Sequence, residues 1–267
     1  MTRAIILAAG RGSRLHPYTE NAPKCLTELG GISLIERQLS VLRAAGIDDI
    51  VIATGYLSQM LAMPGTRQVH NPDWGSSNMV ETLFAAQADF GADVIVCYAD
   101  IAYEPKMIDA LLRSPHNITV AVNTKWRALW EMRFDNPIDD AESLILGPDG
   151  TILEIGNKVS DIESIEGQFT GLLRFRGTGV DDLRNARAEM EHAERPWKNV
   201  RPVEKAYMTD LLMELILSGR PVHAALVDGG WLEIDTVEDF EKTSRLFDDG
   251  TIRQFFDCDP VPPSGRV

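Results

Sequence analysis

Residues 3–15 read RAIILAAGRGSRL. A short apolar run (residues 3–8) passes directly into small residues, two glycines and two arginines. Runs of this length with no polar alternation mark strands buried on both faces, as in parallel sheets. A glycine turn beyond the carboxyl end of such a strand lies where an open α/β sheet binds its ligands. Small residues let backbone N–H groups approach and converge on one place. Residues 1–24 hold four cations (Arg3, Arg11, Arg14 and Lys24) against one acid, Glu20, in a chain of net charge −14. A cationic turn on an acidic protein suits a polyphosphate. A plain glycine turn with solvated arginines fits the same residues.

Outward from this turn, residues 49–54, 93–98 and 118–122 repeat the buried-strand pattern. Residues 33–45, 78–88 and 105–113 between them carry helical spacing, the first closed by Gly46. The alternation predicts an α/β sheet with right-handed crossovers. After residue 123 the rhythm changes. Residues 144–146, 151–155 and 168–176 read as antiparallel strands around the turn Pro148-Asp149-Gly150. Helices are expected at 180–193, 204–218 and 236–247, and strands at 222–227 and 231–234. This gives one domain over 1–250 with a small antiparallel subregion at 123–176. A tail over 251–267 becomes irregular from Asp257.

Composition narrows the function. The 267 residues are 44% hydrophobic, which excludes low-complexity disorder and a disulfide scaffold. With 26 Lys and Arg against 40 Asp and Glu, the surface is a poor partner for nucleic acid or an anionic membrane. The three cysteines (Cys25, Cys97 and Cys258) have no zinc or disulfide spacing and point to a reducing compartment. The first apolar run is too short for a signal or a membrane span, so the expectation is a cytoplasmic protein. The helices around 180–218 leave open whether they cover the sheet or pair two copies as a homodimer.

Two phosphate-binding motifs are absent. The dinucleotide fingerprint needs a third glycine where Leu15 stands, and the P-loop needs Gly-Lys-Ser/Thr. Instead AIILAAGRGSRL with Pro23-Lys24-Cys25-Leu26 resembles the signature of nucleotidyltransferases that activate small phosphorylated compounds with an NTP. The resemblance continues through Gly55-Tyr56, Asn78, Asp100 and WLEIDTVEDF at 231–240. It implies a Rossmann-like three-layer nucleotidyltransferase fold with a central mixed, mostly parallel sheet. It places the nucleotide on Leu7, Ala8, Ala9, Gly10, Arg11, Gly12 and Ser13, with Arg14 and Lys24 as the catalytic cations.

Asp100 and Asp235 each end a strand-like segment. Mg²⁺ bound to a triphosphate takes few protein carboxylates, so one from each segment suffices. Each also fits a strand-terminal turn or a helix cap. The resemblance maps the family's metal pair, and Mg²⁺ as cofactor, onto these two. Gly55 and Tyr56 follow the second strand, where a glycine lets a flat base approach. Asn78 opens a helix and is placed to hydrogen-bond the nucleoside. A turn glycine and an ordinary helix opener fit as well. NPDWGSSNMVETL at 71–83 is similar to a segment of phosphocholine cytidylyltransferases, which implies CTP, although Ser77 stands where many of those carry a second Asn.

No catalytic nucleophile stands out, and the five histidines are scattered. An anionic phosphate or phosphonate acceptor can attack the α-phosphorus without a general base. The acceptor segment departs from sugar-1-phosphate nucleotidyltransferases. Their Glu-Lys-Pro motif is replaced by Glu154-Ile155-Gly156-Asn157-Lys158. WxxLWxxRFxNPxxDAE at 126–142 is similar to cytidylyltransferases of 2-aminoethylphosphonate or phosphoglutamine. The expectation assigns Arg133 and Lys158 to the acceptor phosphate, Trp126 or Trp130 to a cationic group, and Asp140 or Glu142 to an amine. Two tryptophans four apart also fit one core-facing helix side. The expected activity is a Mg²⁺-dependent transfer of CMP to such an acceptor. The alternatives are a sugar-1-phosphate nucleotidyltransferase and a silent nucleotide sensor. Loss of Lys24, Asp100 or Asp235 would mark the sensor, and all three are present.

Overall fold

Ile5 and Ile6, adjacent on β1 (Arg3–Ala8), are both fully buried, and they enter different core clusters. That is what a strand covered on both faces requires. A computed structural model describes residues 1–192, 194, 195 and 201–257. In chain order β1 is followed by β2 (Glu28–Leu29), β3 (Ile32–Ser33), α1 (Leu34–Ala44), β4 (Ile50–Thr54) and β5 (Thr66–His70). Then come α2 (Met79–Ala85), β6 (Asp93–Tyr98), β7 (Ile101–Tyr103), α3 (Pro105–Arg113), β8 (Ile118–Asn123) and α4 (Trp126–Arg133). The remainder is β9 (Glu142–Leu146), β10 (Ile152–Lys158), β11 (Gln168–Arg176), α5 (Thr178–Met190), α6 (Met208–Leu217), β12 (His223–Val227), β13 (Trp231–Glu233) and α7 (Val237–Asp248).

Seven strands form the central sheet in the order β12-β8-β11-β6-β1-β4-β5. All neighbours run parallel except β11, which is antiparallel to both β6 and β8. One core cluster packs α1, α3, α4 and β13 against the sheet, and the other packs α2, α5 and α6. The result is the expected mixed, mostly parallel three-layer α/β fold. Ser33 caps α1 through a reciprocal capping box with Glu36, and Gly46 at φ +79° follows its end.

Three expectations need correction. The run 168–176 does not belong to the antiparallel subregion. As β11 it fills the centre of the main sheet, and only β9 and β10 pair as a separate hairpin. Edge strand β5, with little buried surface, has no readable apolar run, and β7 is buried throughout but at three residues is too short to read as a strand. The segment from 251 is not all tail: residues Thr251–Gln254 form a short turn of helix, and Ile252 and Phe256 are buried in the core. Cys258 and the rest of the expected tail, like residue 193 at the expected end of α5, lie outside the described residues.

Candidate active site

The site is assembled by a short ladder. β13 runs antiparallel to β7, with Glu233 opposite Ile101, and Ile234 N–H donates to the Asp100 carbonyl at 3.0 Å. This pairing brings the turn after β6 beside the turn before α7, so Asp100 and Asp235 become neighbours. The fully buried Gln38 of α1 pins the first turn by donating to the carbonyls of Tyr98 (2.9 Å) and Ile101 (2.8 Å). Asp235 does not cap α7. Thr236 does, in a capping box with Asp239, which leaves the Asp235 carboxylate free to face the cavity.

The glycine turn closes the other side. Gly12 has φ +68°, and a Cβ there would lie 2.8 Å from the Cβ of Lys24. Glycine is therefore needed both for the left-handed backbone and to let the lysine stem pass. Buried Leu15 anchors the turn, and the Thr19 hydroxyl donates to the Gly12 carbonyl at 2.8 Å. Lys24 Nζ reaches Asp100 Oδ2 at 2.8 Å and Asp235 Oδ1 at 2.7 Å, and Arg14 reaches Asp235 Oδ2 at 2.6 Å. Burial opposes the charge on Lys24, but the two aspartates outweigh it and hold the ammonium protonated. For Asp235 burial likewise opposes ionisation, yet Lys24 and Arg14 keep its pKa below the ordinary value.

A cavity of about 300 Å³ opens on this cluster. Of the candidates from the sequence, Leu7, Ala8, Ala9, Gly10, Gly12, Ser13, Arg14, Lys24, Asn78, Asp100 and Asp235 line it. Arg11, Gly55 and Tyr56 do not. Arg11 lies over the Tyr56 ring, 5.4 Å from its centre, and the Tyr56 ring packs against Trp74. A Cβ at Gly55 would come within 2.5 Å of the Trp74 Cβ and 2.6 Å of the Ala9 carbonyl oxygen. The space at Gly55 is thus taken by Trp74 and backbone, not left for a base. Asn78 caps α2 through its own Oδ1 and also donates to the Lys205 carbonyl at 3.2 Å. Trp74, Thr82 and Tyr98 line the cavity without having been singled out, and Ser77, at the position of the second Asn, lines it too. The Asn71-Pro72-Asp73-Trp74 turn was the available signal. Buried Asn71 ties it to Ser77 and Thr82 at 3.1 Å each.

The carboxylates fit a divalent cation. Asp100 Oδ1 is buried with no hydrogen-bond partner among the described residues, an acceptor that an ion could satisfy. Among the described residues no group of three or more His, Cys, Asp or Glu side chains is arranged to hold a metal. Two carboxylates suit Mg²⁺, which takes its remaining ligands from phosphate and water.

The acceptor assignments divide. Trp126 and Trp130 are core residues, and Arg133 is 2% exposed, forked onto Asp239 and paired with Glu233 at 3.1 Å. None of the three is free to meet an acceptor, because burial and ion pairing already occupy them. Asp140 and Glu142 are half-buried, and neither has an ion pair with another described residue. Burial pushes the Glu142 carboxyl up to about 7. Lys158 is exposed on β10, in register with Glu142 across the hairpin.

The sequence profile of the MobA-like NTP transferase domain matches residues 4–145, which include the glycine turn, Lys24 and Asp100. The chain belongs to this family. Within this nucleotidyltransferase family, the CTP:phosphoglutamine cytidylyltransferase of Campylobacter jejuni is 35% identical over 250 residues, 89% of this chain and 97% of that one. A choline-phosphate cytidylyltransferase of Streptococcus pneumoniae is 33% identical over 118 residues, 43% of this chain and 52% of that one. Among solved structures, the inositol-1-phosphate CTP transferase from T. maritima superposes with a TM-score of 0.71 at 18% identity, over 97% of this chain and 98% of that one. The CTP:phosphocholine cytidylyltransferase from Streptococcus pneumoniae gives 0.64 at 24% identity, over 92% and 98%. Both share the fold. Among the described residues no helix is long and apolar enough to cross a membrane.

Proposed function

We propose that this nucleotidyltransferase is a Mg²⁺-dependent cytidylyltransferase that joins CMP from CTP to a small phosphorylated or phosphonate amine or amino acid. The observation that carries the reading is the single ammonium of Lys24 held 2.8 Å from Asp100 and 2.7 Å from Asp235 at the mouth of the glycine turn. Two acids and a cation from distant parts of the chain converge where a triphosphate would lie. The choice of CTP and of an aminated acceptor is supported by the Campylobacter jejuni relative, whose length this chain matches almost throughout.

In this reading the backbone at Gly10, Gly12 and Ser13, with Arg14, cradles the triphosphate. Trp74, Ser77, Asn78 and Tyr98 receive the nucleoside. Asp100 and Asp235 would hold the Mg²⁺, whose chemistry there would be charge neutralisation of the phosphates. Lys24 turns from the carboxylates to the α-phosphate. An acceptor phosphate oxygen attacks the α-phosphorus in line, the bond to the β-phosphate oxygen breaks, and pyrophosphate leaves with its electron pair. No proton need be removed from an acceptor already ionised, so positioning and charge neutralisation do the catalysis. Asp140 and Glu142, which form no ion pair with another described residue, receive the acceptor amine, and Lys158 its phosphate.

The test is pyrophosphate release with each of the four NTPs against phosphocholine, 2-aminoethylphosphonate, phosphoglutamine and glucose-1-phosphate. Turnover with CTP and an aminated acceptor is the expected result. Turnover confined to glucose-1-phosphate, or to a nucleotide other than CTP, would overturn the assignment.

A further inference from the structure

The WxxLWxxR pattern over residues 126–133 faces inward. Trp126 and Trp130 meet edge to face at 5.9 Å, and Trp130 stacks on Trp231 of β13 at 5.8 Å with 9° between the rings. The Arg133 guanidinium lies 5.0 Å from the centre of the Trp130 ring. Its Nε and one terminal nitrogen donate to the two oxygens of Asp239, both at 3.1 Å, and the other terminal nitrogen donates to Glu233 at 3.1 Å. The Arg133 and Asp239 side chains are each 1% exposed. Asp239 Oδ2 also accepts the backbone N–H of Asp235 at 3.1 Å and of Thr236 at 3.2 Å. Lys242 of α7 donates to the Arg133 carbonyl at 2.9 Å, closing the link between α4 and α7.

We propose that Arg133 and Asp239 are positioning residues for Asp235, the fork and the tryptophan stack together fixing the backbone from which the Asp235 carboxylate projects toward Asp100. This rests on the reading of Asp235 as a metal ligand. A helix cap at Thr236 needs no arginine, and a buried ion pair is a poor source of net stability compared with apolar packing. What a planar fork supplies is direction. It holds both carboxylate oxygens of Asp239, so the lone pairs left over point at the Asp235 and Thr236 amides. Ligand carboxylates bind metal well only when their supporting partners are fixed.

The test uses the full-length protein with Arg133→Met, Arg133→Lys, Asp239→Asn and the Arg133→Met/Asp239→Asn double variant. It measures kcat, acceptor KM, and Mn²⁺ affinity in the presence of CTP by electron paramagnetic resonance. Each single variant is expected to weaken Mn²⁺ binding about tenfold and lower kcat by about thirtyfold, with acceptor KM within about twofold of wild type. The double variant should be no worse than the poorer single, since both break one fork. Arg133→Lys restores the charge but not the fork and should not restore Mn²⁺ affinity. If Arg133→Met does not fold, Asp239→Asn, which keeps the shape of the side chain, decides alone. Unmoved Mn²⁺ affinity overturns the proposal, and so does a tenfold rise in acceptor KM without a metal effect. Failure of the underlying reading is separate: Asp235→Asn would then bind Mn²⁺ as wild type does.

Discussion

Lys24 Nζ donates to Asp235 Oδ1 at 2.7 Å while its opposite side is held by Asp100, so one ammonium stands where two carboxylates converge. Lys24→Met removes the ammonium that bridges the two acids and leaves Arg14 on Asp235 alone. The variant should lose about 3 kcal/mol of stability in chelator. Millimolar Mg²⁺ without nucleotide should then raise its Tm and leave that of the wild type unmoved. Thermal melts with and without Mg²⁺ check this, and equal shifts in both proteins would contradict it.

Asp100→Asn and Asp235→Asn keep side-chain volume while removing charge. Each should lower Mg²⁺-dependent pyrophosphate release about a thousandfold and leave the far-ultraviolet circular dichroism unchanged. A rate near that of the wild type in either variant would remove that residue from the reaction.

Gly55→Ala tests whether that glycine serves packing. The new methyl meets the Trp74 Cβ and the Ala9 carbonyl, neither the flexible end of a side chain. A stability loss of about 1–3 kcal/mol is expected in denaturant titration, with weaker CTP binding as Trp74 shifts. Unchanged stability with weaker CTP binding would instead return Gly55 to the base.

Glu142 sets a pH dependence. Burial raises its carboxyl from 4.5 to about 7, Asp140 and Asp210 add to the shift, and Arg201 opposes it. Between these values the folded protein keeps a proton that the unfolded chain has released. Its contribution to stability therefore falls as pH rises through that window and stays low above it. In the proposed reading an ammonium acceptor would meet a charged Glu142 only at the upper end. Acceptor KM should drop as pH rises from about 6 to about 8, and Glu142→Gln should flatten that profile.

Much of this was legible in the residues. The buried strands and the glycine turn were readable because each is a local pattern, an apolar run or small residues with cations. An acid ending a strand suits a turn or a cap equally, and only the family resemblance paired Asp100 with Asp235. The place of β11 was not, because an apolar run does not say which strand it lies beside. The inward turn of Trp126, Trp130 and Arg133 was equally hidden. Their spacing suits a core face and an exposed aromatic face alike, and only Trp231 and Asp239, about a hundred residues on, decide between them. Gly55 misled for a related reason: a glycine announces a close approach but not what approaches.

Lys24 and Asp235 are 211 positions apart, with nearly the whole sheet between them. A ribosome-bound chain that has not yet released β13 can build β1 and the glycine turn, but it has no second acid to offer. In the proposed reading, competence for the reaction waits on β13, and a fragment truncated before Trp231 should be inert toward nucleotide turnover even where its first strands have formed.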